Sequence, residues 1–192
     1  LIRSLRPDLI IVSSFRQIVP SEIIAIPSKG VINVHPSLLP KYRGATPTYW
    51  VLVNGEKETG ITYHYITSKV DGGNILVQKK IAMQEGETAY SLYHKCIALF
   101  IRYFPEAFDR LVRGDLGVPQ NPEAPVSYYK REVPYGGILD AGNISYEYAQ
   151  RFVNALYFPP HPSACFLIDG ETVAIQTAEA LACYKHYFRS AE

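Results

Sequence analysis

Two polar side chains at the end of an apolar run are the first candidates for chemistry in this chain. The segment 30–44 reads GVINVHPSLLPKYRG and places Asn33 and His35 two residues apart. Because side chains alternate along a strand, both would point to the same face of a sheet. An amide can donate a hydrogen bond to a developing oxyanion, and an imidazole beside it can move a proton. This pairing predicts acyl chemistry at the carboxyl end of a buried strand.

The surrounding pattern predicts alternating strands and helices. Near-continuous apolar runs at 9–12 and 31–34 are typical of buried parallel strands. Apolar positions that recur every three or four residues predict a long helix over 88–113. The remaining predicted elements are strands over 59–66 and 74–82, helices over 22–26, 46–53 and 145–156, and a hairpin that turns at Asp169-Gly170. This order indicates an α/β fold.

Composition and charge exclude several classes of protein. The 192 residues carry a net charge of +1, and no basic cluster typical of a nucleic-acid-binding face is present. An apolar run of about 18 residues is absent, so no membrane span is predicted. Cys96, Cys165 and Cys183 are odd in number and far apart, and no CxxC spacing suggests zinc. We therefore expect reduced thiols and a cytoplasmic protein.

The beginning of the chain suggests that more sequence precedes it. It opens with LIRSLRPDLIIV, which would be a helix end feeding a buried strand, and it has no initiating Met. Since a domain seldom starts this way, we expect further βα units before residue 1. Within the chain we expect a catalytic domain over 1–115, a linker rich in Pro, Gly and Asn over 116–137, and a small C-terminal subdomain over 138–192.

Three motifs together resemble the 10-formyltetrahydrofolate-dependent formyltransferase family, in its methionyl-tRNA and sugar N-formyltransferase branch. They are NVHPSLLP at 33–40, YRGA at 42–45 and VDGGNIL at 70–76. The resemblance covers residues 1 to about 115. It implies a Rossmann-like parallel sheet of the formyltransferase type, of which this chain holds the second half. A small α+β appendage would follow at the C-terminus.

The resemblance also implies a catalytic set. Asn33 matches the asparagine that hydrogen-bonds the formyl oxygen, and His35 matches the histidine that polarises the carbonyl and handles protons. Asp71 matches the aspartate that pairs with this histidine and helps to take a proton from the attacking amine. The implied formyl donor is 10-formyltetrahydrofolate, and no metal is needed.

Two loops are implied to hold the folate. They are 13–19, which follows the first strand, and 67–70, which precedes Asp71. Ordinary core packing is an equal alternative for Phe15, Ile18 and Val19. The predicted folate-binding residues are Phe15, Ile18, Val19, Thr67 and Val70.

Four further residues are candidates for substrate binding, each with a structural alternative. Ser37 could orient the loop or cap a turn, and Arg43 could reach an anionic acceptor or be structural. His64 could face the site or be a core partner. Tyr157 belongs to an aromatic stretch, 151–162, that could line a nucleotide-sugar site by stacking on a base or could pack the appendage onto the catalytic domain. These aromatics could also pair two copies in a homodimer.

The acceptor is predicted from the C-terminal region. Residues 124–131 resemble the linker into the extra C-terminal region of the tRNA and sugar branches, but the tail is short and its basic residues are scattered. Binding tRNA needs clustered cations, so tRNA is a less favoured partner. We expect a sugar-nucleotide N-formyltransferase. The alternatives are a methionyl-tRNA formyltransferase or a relative acting on another amine, and a formyltetrahydrofolate hydrolase or non-catalytic folate-binding domain.

Overall fold

A computed structural model describes residues 1–15 and 17–189 of the chain. The predicted strands and helices are present, and their ends differ from the predicted ones by one or two residues. The strands are β1 (Ile10–Ser13), β2 (Val31–His35), β3 (Arg43–Gly44), β4 (Glu58–Tyr65), β5 (Ile75–Ala82), β6 (Tyr128–Tyr129), β7 (Ile138–Asp140), β8 (Ala164–Ile168) and β9 (Glu171–Ile175). The α-helices are α1 (Ile2–Leu5), α2 (Ser21–Ile24), α3 (Pro47–Val53), α4 (Ala89–Val112), α5 (Tyr146–Leu156) and α6 (Ala178–Ala182).

The main sheet has four strands in the order β1-β2-β4-β5. β1 and β2 are parallel, with Ile10 opposite Val31 and Ser13 opposite Val34, as the apolar runs predicted. β2 and β4 are antiparallel, so the sheet is mixed rather than wholly parallel. Parallel sheets with an antiparallel member are common in α/β proteins, and the α/β class predicted from the sequence is confirmed.

The first of two compact units contains this sheet. It consists of Leu1–Ala45, Glu58–Ile81 and Lys95–Lys130. Its buried apolar side chains come from β2, β4, β5 and α4, because near-continuous apolar strands must be covered on both faces. The Tyr63 hydroxyl donates to the carbonyl of Phe100 at 2.6 Å, which ties β4 to α4. Fully or almost fully buried members of this core are Ile32, Ile61, Tyr63, Leu76, Cys96 and Leu111.

The second unit contains Thr46–Lys57, Ala82–His94 and the described part of Arg131–Glu192. Its core is aromatic: the Phe166 ring lies edge-on to Phe152 at 5.9 Å and to Phe188 at 5.3 Å. α5 begins after Ser145, whose hydroxyl accepts from the Tyr148 N–H at 3.2 Å, the capping arrangement that Ser favours. The hairpin predicted at Asp169-Gly170 joins the antiparallel strands β8 and β9.

Part of the predicted linker is ordered strand. β6 pairs in parallel with β3, with Arg43 opposite Tyr128 and Gly44 opposite Tyr129. The Tyr129 ring also stacks on Tyr42 at 5.5 Å. Residues 116–130 therefore belong to the first compact unit. Pro and Asn mark irregular backbone but do not say what that backbone pairs with, and the domain limits proposed from the sequence stay a prediction.

Among the described helices, none combines the length and the apolar composition required to cross a membrane.

Candidate active site

The structure brings Asn33, His35, His64 and Asp71 together in the first unit. Register decides one contact: β2 and β4 pair so that Asn33 lies opposite His64, and Asn33 Nδ2 is 3.4 Å from His64 Nε2. The Asp71 carboxylate completes the cluster, with Oδ1 3.5 Å from His64 Nε2 and Oδ2 3.8 Å from His35 Nδ1. The three residues expected to act together are thus neighbours, and His64 lies among them.

His35 is oriented by a backbone carbonyl. Its Nε2 donates to the carbonyl oxygen of Tyr42 at 2.7 Å, so in the neutral ring Nδ1 is unprotonated and faces Asp71. Burial lowers the pKa of His35 and outweighs the Asp71 carboxylate and the Tyr42 carbonyl, which both raise it, while His64 lowers it further. His35 is therefore a neutral imidazole at pH 7, and its free nitrogen can accept a proton beside a carboxylate that would stabilise the cation.

Asp71 is a largely buried but ionised carboxylate. Its side chain is 12% exposed, and burial alone would raise its pKa. The hydrogen bond with His64, the interaction with His35 (which is protonated at the acid pH where Asp71 titrates) and the Gly44 N–H together exceed that effect and lower the pKa of Asp71 to about 2. The Gly44 N–H donates to Oδ2 at 2.8 Å. Asp71 has a φ of +46°, a left-handed conformation that its short polar side chain tolerates.

His64 and Asn33 differ in access. His64 is 1% exposed, and its Nδ1 donates to the carbonyl of Tyr65 at 2.9 Å, which leaves Nε2 between Asn33 and Asp71. Asn33 is only half-buried. The geometry supports the partner alternative for His64, whereas the amide of Asn33 is more accessible than either histidine of the cluster.

The loop after β2 is tied to the sheet by a polar hub that sequence reasoning missed. The Thr62 hydroxyl donates to the Ser37 carbonyl at 2.7 Å, and it accepts from the Leu39 N–H at 3.3 Å and from Gln78 Nε2 at 2.9 Å. Gln78 also donates to the Leu39 carbonyl at 3.0 Å. Thr62 is completely buried on β4, whereas Gln78 lies at an exposed position of β5.

Ser37 belongs to the same loop and faces inward. It is completely buried, and its hydroxyl donates to the carbonyl of Lys41 at 2.9 Å. These facts support the alternative in which Ser37 orients the loop. Its predicted contact with substrate stays untested.

Arg43 is paired with another missed residue. Its Nη2 donates to Gln120 Oε1 at 2.6 Å. Gln120 Nε2 in turn donates to the carbonyls of Asp71 at 2.8 Å and Gly73 at 2.9 Å. Gln120 lies in the segment predicted to be a linker, where no local pattern distinguishes it from a solvated side chain. The engaged guanidinium supports the structural alternative for Arg43.

The predicted folate loops are largely open at the surface. Phe15 and Ile18 are 57% and 78% exposed, and Val70 is 39% exposed. Val19 is half-buried. Thr67 is exposed, and its hydroxyl accepts from the Lys69 N–H at 3.2 Å in a local turn. Phe15 and Ile18 are not core residues, so the core alternative is not supported for these two.

Tyr157 lies in the second unit at the end of α5. It is half-buried, and its carbonyl accepts from the Tyr90 N–H at 3.1 Å. Neighbouring rings form an aromatic cluster in which Phe158 lies 5.7 Å from Tyr90 and 5.4 Å from Tyr93. The cluster supports packing within this unit, and a role of Tyr157 toward substrate stays a prediction.

Within residues 1–15 and 17–189, no group of three or more His, Cys, Asp or Glu side chains is arranged to hold a metal ion. The three cysteines are free.

Comparisons with known proteins agree with the motifs. A family model described as Formyl transferase matches residues 1–108. A GDP-perosamine N-formyltransferase from Brucella melitensis is 41% identical over 173 residues, which cover 90% of this chain and 66% of that protein. A methionyl-tRNA formyltransferase from Geobacter metallireducens is 37% identical over 186 residues, which cover 96% of this chain and 58% of that protein. The chain thus spans less than two thirds of the length of each of these relatives.

A solved structure shares the fold. An N-formyltransferase from Helicobacter canadensis, in complex with folinic acid and dTDP-3-aminofucose, matches with a TM-score of 0.68 at 24% sequence identity. The match covers 83% of this chain and 58% of that one. At this level of identity the likeness establishes the fold, and it confirms the α/β fold of the predicted type.

Proposed function

The chain belongs to the formyl transferase family, and from this premise we propose that it takes part in formyl transfer from 10-formyltetrahydrofolate to the primary amine of a nucleotide-linked amino sugar. One observation carries the proposal. The half-buried amide of Asn33 stands beside a neutral His35 and an ionised Asp71, within one buried cluster. This donor set fits the transfer of an acyl group between nitrogens.

Each residue has a role that follows from its environment. The Asn33 amide donates a hydrogen bond to the formyl oxygen, and that bond strengthens as the oxygen gains negative charge. His35 Nδ1 accepts the proton that the attacking amine loses, and the nearby Asp71 carboxylate stabilises the resulting cation. The new bond joins the acceptor nitrogen to the formyl carbon, the bond from that carbon to N10 breaks, and the proton passes to N10. The donor supplies the formyl group and leaves as tetrahydrofolate.

The donor-binding surface is proposed on the loops around Phe15 and Val70. Exposed apolar side chains at Phe15, Ile18 and Val70 suit the flat ring system of a folate. The Helicobacter protein, which shares the fold, was solved with folinic acid. Val19 and Thr67 remain proposed neighbours of the same ligand.

A nucleotide sugar is the preferred acceptor because of the relatives and the charge. The Brucella relative is a GDP-perosamine N-formyltransferase, and the Helicobacter protein was solved with dTDP-3-aminofucose. The net charge of +1 does not favour a polyanion such as tRNA. Methionyl-tRNA is the second candidate, favoured by the 37% identity to the Geobacter enzyme over 96% of the chain.

A cytoplasmic location is proposed from the state of the cysteines. All three cysteines are free, which fits a reducing compartment. The homodimer expected from the tail aromatics stays a prediction.

The test is an acceptor screen with the full-length protein that carries this chain. It is supplied with 10-formyltetrahydrofolate and either nucleotide-linked amino sugars or methionyl-tRNA, and tetrahydrofolate release is followed by absorbance. We expect turnover with an amino sugar. The Asn33→Ala variant should lower kcat by about 100- to 1,000-fold, because it removes one oxyanion donor.

The exposed Asn121→Ala variant is the matched control and should retain full activity. Turnover with methionyl-tRNA alone, with a steep dependence on salt, would replace the sugar by tRNA. Release of formyl to water without any acceptor would favour the hydrolase alternative. Wild-type kcat in Asn33→Ala would remove this residue from the site.

A further inference from the structure

We infer that Gln120 is a positioning residue of this site, whose side-chain amide holds the Asp71 loop and the 42–44 segment at the spacing that the His35–Asp71 pair requires. The expected effect of Gln120 on catalysis rests on the proposed function, whereas its hydrogen bonds to the two segments do not.

The Gln120 amide is fully engaged on both sides of the site. Its Nε2 donates to the carbonyl oxygens of Asp71 and Gly73 at 2.8 and 2.9 Å, so both N–H groups are used. Its Oε1 accepts from Arg43 Nη2 at 2.6 Å, a charge-assisted bond. One planar group therefore joins two segments of chain.

The two segments that Gln120 joins are those that fix the His35–Asp71 pair. On one side, the Tyr42 carbonyl accepts from His35 Nε2, and the Gly44 N–H donates to Asp71 Oδ2 at 2.8 Å. Arg43 lies between these two residues in the chain. On the other side, Gln120 donates a hydrogen bond to the backbone carbonyl of Asp71 itself. Movement of either segment would change the distance between His35 Nδ1 and the carboxylate.

Neither segment is held by a long regular element. Asp71 has a φ of +46° and lies in a turn rather than in a strand or helix. β3 is only two residues long. The separation of 3.8 Å between His35 Nδ1 and Asp71 Oδ2 is longer than a hydrogen bond, so no direct hydrogen bond holds these two groups at their spacing. β6 pairs with the 42–44 segment, and the Gln120 side chain adds a direct link from this segment to the Asp71 loop.

The test compares two substitutions of Gln120 in the full-length protein. Gln120→Met keeps the length and removes every hydrogen bond, whereas Gln120→Glu keeps the acceptor for Arg43 and loses both donors. We expect kcat to fall about 10- to 100-fold in both, as for displacements of catalytic groups by about 1 Å. KM for the acceptor should change less than about twofold, because binding is not altered. Gln176→Met, at an exposed position of the second unit, is the control and should keep full activity.

A double mutant separates positioning from loss of folded protein. In an Asp71→Asn background, where the ionised carboxylate is already lost, Gln120→Met should lower kcat by less than about twofold. A full multiplicative loss in that background would overturn the inference. Unchanged kcat in both single variants would also overturn it.

Hydrogen exchange of the Gly44 amide gives a readout that does not need turnover. Since this N–H donates to Asp71, its exchange should be at least about tenfold faster in Gln120→Met and unchanged in Gln176→Met. An unchanged rate in Gln120→Met would overturn the inference even if the wild-type protein transferred no formyl group. A wild type without activity but with the expected exchange difference would reject the proposed function and keep the structural coupling.

Discussion

Replacement of Asp71 by Asn offers a quantitative check on the electrostatics of the site. The pKa of this carboxyl falls from 3.8 to about 2, although burial works in the opposite direction. At about 1.4 kcal/mol per pKa unit, this shift corresponds to about 2–3 kcal/mol in favour of the ionised form. Because Asn is nearly isosteric and tolerates a left-handed φ, the variant removes the charge with little change in packing. We expect the free energy of unfolding to fall by about 2–3 kcal/mol at pH 7.

The sign of the pH dependence follows from the lowered pKa. A carboxyl whose folded pKa lies below its unfolded value stabilises the fold above the unfolded value, and this stability is lost as pH falls through the folded value. The difference between wild type and Asp71→Asn should therefore close between about pH 4 and pH 2. His35 has its own window, because its lowered pKa makes the protein lose stability below pH 6.5. Comparison at pH 7 avoids that contribution, since the ring is neutral in both proteins.

The measurement is urea unfolding followed by circular dichroism at pH 7, 5, 3 and 2. Asp109→Asn, at an exposed position of α4, is the matched control and should change the unfolding free energy by less than about 0.5 kcal/mol. A difference below about 0.5 kcal/mol between wild type and Asp71→Asn at pH 7 would refute the reasoning. A difference that persists unchanged to pH 2 would refute it equally.

Three further outcomes can be measured directly. Gly44→Ala should lower the melting temperature far more than Gly86→Ala. Both glycines have a positive φ, which costs an alanine roughly 1–2 kcal/mol, but a Cβ at Gly44 would also lie 2.1 Å from a backbone carbonyl oxygen, whereas a Cβ at Gly86 would meet open space. Equal shifts in melting temperature would contradict this prediction. Thr62→Val should lower the free energy of unfolding in urea by about 1–3 kcal/mol, because it leaves buried hydrogen-bond partners unpaired. Thr172→Val, at an exposed position, should lower it by less than about 0.5 kcal/mol. An effect of Thr62→Val as small as that of this control would contradict the role of Thr62 in the hub. The acid limb of kcat/KM, set by protonation of His35, should lie below pH 6.5, and a limb above pH 7 would show that this ring is not held neutral.

Local periodicity explains why the elements could be predicted. The continuous apolar run at 31–34 and the spacing of three or four in α4 express burial within one element, and both elements are found. The shared face of Asn33 and His35 follows from the same strand geometry. Asp71 was placed only by resemblance to a family, since nothing in its immediate neighbours indicates a carboxylate site.

The contacts of His64 and Gln120 could not be predicted from local periodicity. His64 meets Asn33 because β2 and β4 pair in one register, and a slip by one residue would turn the side chain to the other face. Gln120 reaches Asp71 across 49 positions of sequence, from a segment whose composition predicts only a loop. Ser37 shows the converse case, because its place in the motif gave no sign that it is completely buried.

The sequence by itself determined the α/β class, the order of strands and helices, and the three motifs that identify the family, because each depends on residues close together in the chain. Only the tertiary structure decided which ionisable groups meet and in which protonation state. Burial lowers the pKa of His35, and the neighbouring His64 and the Gly44 N–H lower that of Asp71. These effects depend on solvent exclusion and on distances between segments far apart in sequence, and neither quantity is defined until the chain has folded.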